Sequence, residues 1–477
     1  MSNKFFNDAV IGNKNVRATF SSTGELLRAY YPSVDFKQFV DFFHVGMKVN
    51  DSAIIYLHQD INNRYNQYYT DNTNILNTEI ENTYFNIKIR QTDFALVKEN
   101  IIAKRYTIVN GNKLDLDLSF LVRSKLYSND NNMVSGKVID NGLIQYNHDF
   151  SFSIFTNKNI SGHRINDVES CFREAVLTDK DYIGMSNDSA VSYNLGQLKS
   201  GDQIDFTLFI YIENNNNIKN MEELEEKIEN YKKIDVNKEY TQAKKYWTNY
   251  LEKHDGLNLR ENSNKLVNDR VKEIYKRTIL LFPLLQNEET GGASATVEID
   301  ENREKSGRYS YCWPRDAIFI TNSLDILGMT KETEKYYKTF CKMTQSKNGM
   351  WEQRFYTDGS LAPCWGYQID ETASVVYGIY NHYEHTKNTK FLKDTLRMSE
   401  SAIKFLKKYV QNVLDEKEEE YKSYDLWEEN EGIHTYSLAT IFSSFDAMIK
   451  IYEIVKPEFE KNRLKICLLY TSDAADD

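Results

Sequence analysis

The sequence has little cysteine, little proline and no long hydrophobic run. Only five of its 477 residues are cysteine, and no two of them lie within four residues of each other, so no Cys-x-x-Cys zinc or redox motif is present. Five prolines and 20 glycines exclude a collagen-like or proline-rich architecture. No run approaches the roughly eighteen apolar residues of a membrane-spanning helix, and the N-terminus lacks the apolar core of a signal peptide. The sequence therefore predicts a cytoplasmic protein with no membrane partner.

An excess of basic residues is also missing. The chain has 59 Lys and Arg against 70 Asp and Glu, a formal net charge of −11, which argues against a nucleic-acid partner. Aromatic residues are plentiful instead, with 33 Tyr and 25 Phe, and such a composition is typical of a folded chain with sizeable cores.

The first part of the chain has the pattern of β-strands. Apolar and polar residues alternate over 85–90, 114–120 and 204–210, as expected of antiparallel strands with one buried face. Asn-rich clusters at 128–132 and 214–217 mark turns. Many short strands without long helices between them predict an N-terminal β-sandwich domain over residues 1–218.

The second part has the pattern of helices. Residues 219–262 are rich in charge and predict a helical linker that includes one connector helix, and an all-α domain is predicted over 263–466. Gly328 is placed to cap the C-terminus of one helix. The predicted helices of this domain begin at 263 and continue over 316–328, 331–346, 371–386, 391–411 and 434–454.

Three loop-like segments of the helical part combine Trp and Tyr with carboxylates: 309–316, 349–371 and 424–434. Aromatic rings pack on the apolar faces of sugars, and charged side chains form strong directional hydrogen bonds with sugar hydroxyls. Glycosidic bond cleavage needs one protonated carboxylic acid and a second carboxylate, and a Glu beside Trp in a partly apolar site would have the raised pKa that such an acid requires.

Each segment taken alone has a structural alternative. Arg315 and Asp316 could form a structural ion pair, and the acidic residues of 368–371 could cap the helix that follows them. His382 and His385 have His-x-x-His spacing, but no third ligand lies nearby, so no metal site is predicted.

The order of the motifs resembles that of glycoside hydrolase family 15, which includes glucoamylases, glucodextranases and some trehalases. The resemblance covers residues 1–466 and implies the prokaryotic two-domain layout: an N-terminal antiparallel β-supersandwich, a connector helix and an (α/α)6 toroid barrel. The motifs that carry it are Tyr311-x-Trp313-Pro314-Arg315-Asp316-Ala317, Trp365-Gly366-x-Gln368-x-Asp370, and Asp425-Leu426-Trp427-Glu428-Glu429 with Gly432.

The resemblance also implies roles for single residues. Glu428 matches the general acid that protonates the glycosidic oxygen. Asp425 and Glu429 match carboxylates that shape the site, and Arg315 and Asp316 match the pair that binds hydroxyls of the non-reducing-end glucose. The other residues expected to contact or surround the substrate are Trp365, Trp427, Trp313, Tyr311, Gln368 and Asp370.

The implied reaction is inverting, exo-acting release of glucose from the non-reducing ends of α-1,4-glucans, with no cofactor. An α-1,6-glucan hydrolase, an α,α-trehalase and a non-catalytic glycan-binding or regulatory protein remain alternatives. Inversion also needs a carboxylate base about 6.5–9.5 Å from the acid. The family's base lies far downstream, and the sequence offers no candidate for it.

The last residues, 467–477, differ in composition from the chain before them and resemble a translated sequencing adapter. The (α/α)6 barrel of the family has twelve helices, and 263–466 would supply about half of them. We therefore expect a partial barrel and a C-terminally truncated chain that is itself inactive or unstable.

Overall fold

The computed structural model describes residues 7–32, 35, 38–127, 134–179, 188–297, 309–364, 366–417 and 422–455. These residues divide into two compact units. The first unit contains the described residues up to Lys253, those of 264–284, and Val297. The second contains those of 254–263, 285–296 and 309–455.

The first unit is built mainly from antiparallel strands. They are β1 (Ala9–Gly12), β2 (Arg17–Phe20), β3 (Leu26–Tyr30), β4 (Val40–Val49), β5 (Ile55–Tyr56), β6 (Asn63–Tyr69), β7 (Leu76–Asn82), β8 (Ile87–Ala95), β9 (Ile101–Asn110), β10 (Leu116–Leu126), β11 (Ser135–Ile139), β12 (Gly142–Tyr146), β13 (Phe150–Phe155), β14 (Gly162–Ile165), β15 (Asp188–Leu198) and β16 (Gln203–Asn214).

Two large sheets share one hydrophobic core. One sheet has the order β14-β15-β10-β4-β5 and the other the order β11-β12-β13-β16-β9-β8-β7-β6, while β1, β2 and β3 form a smaller sheet. Phe120 of the first sheet packs against Tyr106 and Phe206 of the second, each pair with ring centroids 4.7 Å apart. The alternation predicted over 85–90 is present in β8, where Ile87 and Ile89 are buried and Lys88 and Arg90 are exposed.

Short and long helices complete this unit: α1 (Glu169–Arg173), a 3₁₀ turn (Asn215–Asn217), α2 (Met221–Tyr231), α3 (Val236–His254) and most of α4 (Lys265–Leu285). Leu224 and Ile228 of α2 are buried with Phe209 of the larger sheet. The Asn74 side-chain amide donates a hydrogen bond to the Leu280 carbonyl of α4 at 2.8 Å. The hydrogen bond from Asn74 explains why α4 belongs to the same unit as the strands. The sequence pattern placed this helix at the start of the helical domain.

The second unit is mainly helical. Its elements are α5 (Pro314–Ile326), α6 (Thr330–Lys335), a π-helical turn (Tyr336–Cys341), α7 (Lys342–Thr344), α8 (Ile369–Thr386), α9 (Thr389–Leu414), the short strands β17 (Ser423–Tyr424) and β18 (Glu431–Gly432), and α10 (Thr435–Val455).

Helix α8 is central to this unit and packs against α5, α9 and α10. Eleven of its residues are buried, and both apolar and polar residues are among them. Helix α5 is followed by Gly328, the predicted C-terminal cap, which has a φ of +73°. The Gly328 N–H donates to the Asp325 carbonyl, and the Met329 N–H donates to the Leu324 carbonyl.

The predicted order of a β-sheet domain followed by a helical domain is thus confirmed. The supersandwich, the toroid and the exact domain boundaries stay predictions, and the predicted turn at 128–132 and the tail at 467–477 lie outside the described residues. Within the described part of the chain, the helices are too short or too polar to cross a bilayer.

Candidate active site

The first predicted segment turns into helix α5. Trp313 has extended backbone angles at the N-cap of α5, and Pro314 takes the first helical position, where its missing N–H costs no hydrogen bond. The preceding Cys312 exchanges two backbone hydrogen bonds with Phe355, at 2.8 and 2.9 Å. The first and second segments are therefore held side by side.

Tyr311 and Trp313 lie inside the unit, both at most 5% exposed. The guanidinium of Arg354 is 5.1 Å from the Tyr311 ring centroid and 5.2 Å from that of Trp313, and its Nε donates to the Pro363 carbonyl at 2.7 Å. The two aromatic residues predicted to bind substrate thus hold a buried arginine in place.

The N-termini of α5 and α8 meet at a cluster of charged side chains. Arg315 Nη1 lies 2.9 Å from Asp370 Oδ2 and 3.2 Å from Glu371 Oε1, and the Arg315 backbone N–H donates to Glu371 Oε2 at 2.6 Å. Arg315 Nε is 3.7 Å from Asp316 Oδ2. Carboxylates are favoured at helix N-termini. Asp316 lies in the first turn of α5, and Asp370 and Glu371 lie in the first turn of α8. The predicted Arg315–Asp316 pair is present, but Asp370 and Glu371 are the closer partners.

Burial controls the charges of this cluster. Loss of water raises the pKa of Glu371 well above its ordinary value, and Arg315 only partly opposes this effect. Burial also raises the pKa of Asp316. Burial alone would lower the pKa of Arg315, but Glu371 and Asp370 outweigh it and raise that pKa, so the guanidinium stays charged.

This arrangement makes stability depend on pH through Glu371. The folded state keeps a proton on Glu371 that the unfolded chain releases above about pH 4.5, so the contribution of this group to stability falls as pH rises towards its folded pKa. We expect Glu371→Gln to become more stable relative to wild type as pH rises from about 5 to about 8. Urea unfolding at both pH values measures this, with exposed Glu431→Gln as control. A difference from wild type that does not change with pH would contradict it.

The third segment is a tight loop between β17 and β18. Asp425 Oδ1 accepts hydrogen bonds from the Glu429 N–H at 2.8 Å and the Asn430 N–H at 3.3 Å, and the Asp425 carbonyl accepts from the Glu428 N–H at 3.0 Å. The Glu429 N–H is the main cause of the lowered pKa of Asp425. The Asp425 side chain therefore holds the loop in shape by accepting hydrogen bonds from the loop backbone. The Glu429 side chain is exposed.

Two neighbouring side chains of the loop, those of Trp427 and Glu428, differ in their exposure to solvent. Glu428 has a φ of +62°, a left-handed conformation that few non-glycine residues adopt. Trp427 is 80% exposed, whereas Glu428 is about half buried and its Oε1 accepts a 3.0 Å hydrogen bond from Gln353 Nε2. Strain of this kind is concentrated at functional sites.

The same loop is attached to the start of α8. Gln368, the N-cap residue of α8, donates from Nε2 to the Asp425 carbonyl at 3.0 Å, and Ser423 Oγ accepts from the Ile369 N–H at 3.1 Å. Gln368 therefore connects the loop of Glu428 to the helix that carries Asp370.

Glu428 has the electrostatic properties predicted for an acid. Burial raises its pKa, and Arg354, Arg315 and the Gln353 amide oppose this effect without cancelling it. Among the described residues no hydrogen-bond partner contacts Glu428 Oε2, so this atom is available to a ligand.

The structure brings together most of the predicted site residues. Trp365 lies outside the described residues. His382 Nδ1 contacts Asp325 at 2.8 Å and His385 Nε2 contacts Asn322 at 3.1 Å, and among the described residues no cluster of three metal-binding side chains includes either histidine.

Sequence reasoning missed four residues of the site, two beside Glu428 and two near Arg315. Gln353 and Arg354 lay within the second aromatic segment, but nothing in their pattern marked them as partners of a loop far along the chain. Glu371 was interpreted only as a helix cap. Tyr436 of α10 had no sequence signal; Asp370, Glu371 and Asp316 contribute, after burial, to raising its pKa, whereas Arg315 lowers it.

Comparison with known proteins agrees with this geometry. Residues 269–466 match the family model of glycosyl hydrolases family 15, a region that contains all three segments. Over these residues the chain is similar to glycosyl hydrolases of family 15. This confirms the resemblance predicted from the three motifs.

Two relatives cover nearly all of the family-15-like chain. An uncharacterized glycosyl hydrolase from Methanocaldococcus jannaschii is 23% identical over 96% of this chain and 71% of its own length. The crystal structure of a bacterial glucoamylase complexed with acarbose shares the fold, with a TM-score of 0.77 and 16% identity over 98% of this chain. The chain spans 66% of the length of that glucoamylase, and at this identity the likeness concerns the fold alone.

Proposed function

We propose that this glycoside hydrolase is an inverting, exo-acting α-glucosidase of the glucoamylase type, in which Glu428 is the general acid. The observation that carries the proposal is the environment of Glu428: half-buried, with a raised pKa, one oxygen bound by Gln353 and the other available. A carboxyl group in this state can protonate the glycosidic oxygen as the bond to the leaving sugar breaks.

The surrounding side chains suit the binding of a terminal sugar. Arg315 and Asp316 offer a donor and an acceptor beside Glu428, and Asp316 is the more exposed of the two. The exposed Trp427 offers an aromatic face at the edge of the same loop. We assign no carboxylate base among the described residues, because Asp370 and Glu371 are fully buried and bound to Arg315.

A substrate panel tests the reaction class. The gene is first sequenced again across codon 466, and the protein that it encodes is assayed with maltotetraose, isomaltotriose and trehalose. Release of glucose from maltotetraose, fastest of the three, supports the proposal. Preference for isomaltotriose or trehalose would favour the other specificities of the family, and binding of these sugars without turnover would favour a glycan-binding protein.

The pH profile tests the role assigned to Glu428. Activity should fall as pH rises through the pKa of Glu428, because only its protonated form can donate. Gln353→Leu removes a hydrogen bond that lowers this pKa, so the alkaline side of the kcat/KM profile should move to higher pH. Exposed Gln411→Leu serves as control. An unchanged profile in Gln353→Leu, with activity retained, would contradict the assignment of Glu428.

A further inference from the structure

A second cluster of reactive side chains lies in the first unit, among the strands. Glu25 immediately precedes β3, His44 lies in β4, and His58 follows β5 by two residues. Glu25 Oε1 is 3.5 Å from His44 Nε2 and 4.0 Å from His58 Nε2, and one donor atom from each of the three residues falls within 4.8 Å of the others. In the part of the chain that the structure describes, no other three metal-binding side chains come this close.

The three side chains are held in place by their surroundings. The side chain of Glu25 is 1% exposed, that of His58 5% and that of His44 24%. The two imidazoles stack at 4.9 Å; Phe42 stacks on His44 at 4.9 Å, and Tyr56 packs edge-on against both rings. A site whose ligands are already oriented loses little conformational entropy when an ion binds.

A small cavity lies beside two of the three side chains. It measures about 10 Å³, the size of one water molecule, and is lined by Glu25 and His58 among others but not by His44. Lys104 also lines it, but its Nζ is paired with Asp93 Oδ1 at 2.7 Å, which balances its charge.

We propose that Glu25, His44 and His58 bind a divalent transition-metal ion, with Zn²⁺ the best match. Two imidazoles and one carboxylate are typical zinc donors, whereas Mg²⁺ and Ca²⁺ prefer oxygen ligands alone. With metal–ligand bonds of about 2.0–2.1 Å, tetrahedral ligands lie roughly 3.3 Å apart, close to the 3.5 and 4.0 Å separations found here.

The ion would connect the start of β3 to β4 and to the segment after β5, and would leave its fourth position to water. Its expected effect is to stabilise the first unit, independently of the chemistry proposed for Glu428. Any ion that binds the folded chain and not the unfolded chain raises the unfolding temperature in this way.

Titration of tag-free, chelator-treated protein with zinc sulfate tests this proposal. Calorimetry should show one equivalent of Zn²⁺ bound, and the metal should raise the Tm. His44→Gln, at the partly exposed edge of the cluster, should weaken binding at least tenfold, since even indirect changes at metal sites cost about 10–100-fold. His148→Gln, whose histidine is 97% exposed and apart from the cluster, should bind like wild type.

Two results would overturn the proposal: no stoichiometric binding by wild type, or equal binding by wild type and His44→Gln. Co²⁺ gives an independent measurement on unchanged protein, in case His44→Gln does not fold. The visible spectrum should become that of a four-coordinate Co²⁺ site and be reversed by zinc. A spectrum that stays that of the hydrated ion would equally overturn the proposal.

Discussion

In the protein encoded by the resequenced gene, replacement of Glu428 by glutamine is expected to lower kcat on maltotetraose by about 10²–10⁴-fold and to leave the affinity for maltose nearly unchanged. Glutamine keeps the size of the side chain and a hydrogen-bonding oxygen for Gln353, but it has no acidic proton for the leaving oxygen. The interaction that is lost belongs to the transition state, so kcat should fall while ground-state binding persists.

Initial rates and calorimetric binding of maltose separate the two effects. Exposed Glu431→Gln, in β18 of the same hairpin, is the matched control and should keep wild-type rates. Loss of folding together with binding in Glu428→Gln would mean that Glu428 has a structural role. Wild-type turnover in this variant would exclude it as the acid.

Replacement of Arg315 by methionine is expected to destabilise the protein by about 3–5 kcal/mol. The guanidinium lies 2.9 Å from Asp370 Oδ2, and its removal would leave this fully buried carboxylate without its opposing charge. The free energy of urea unfolding measures the effect. Arg270→Met, which breaks an exposed pair with Glu273, should change stability by no more than about 0.5 kcal/mol.

A double-mutant cycle shows whether the buried charges cause the loss. Asp370→Asn removes one carboxylate partner of Arg315, so the double variant should be less destabilised than the sum of the two single variants. Additive effects would mean that Arg315 stabilises the protein through its packing alone.

The sequence was most informative where local pattern determines structure. The strand alternation and the glycine cap after α5 at Gly328 depend on residues close together in the chain, and both are found in the structure. The Trp427–Glu428 loop was identified because aromatic and acidic residues cluster there. Its left-handed Glu428 was not predicted, because it depends on hydrogen bonds that only the folded loop forms.

Partners far apart in sequence could not be predicted. Gln353 is 75 residues from Glu428 and Glu371 is 56 residues from Arg315, and no periodicity connects them. Burial was also difficult to judge. Trp313, which the resemblance expects to contact or surround the substrate, is buried against Arg354. In α4 the apolar residues Val267 and Val271 are exposed, since the buried residues of that helix lie nearer its end.

The most direct test of the central proposal is the anomeric form of the first glucose released from maltotetraose, followed by proton NMR before mutarotation. Protonation by Glu428 with water attacking the opposite face predicts β-glucose as the initial product, and release from Glu428→Gln that is at least about 100-fold slower. α-Glucose as the initial product, or β-glucose released equally fast by the variant, would contradict this account.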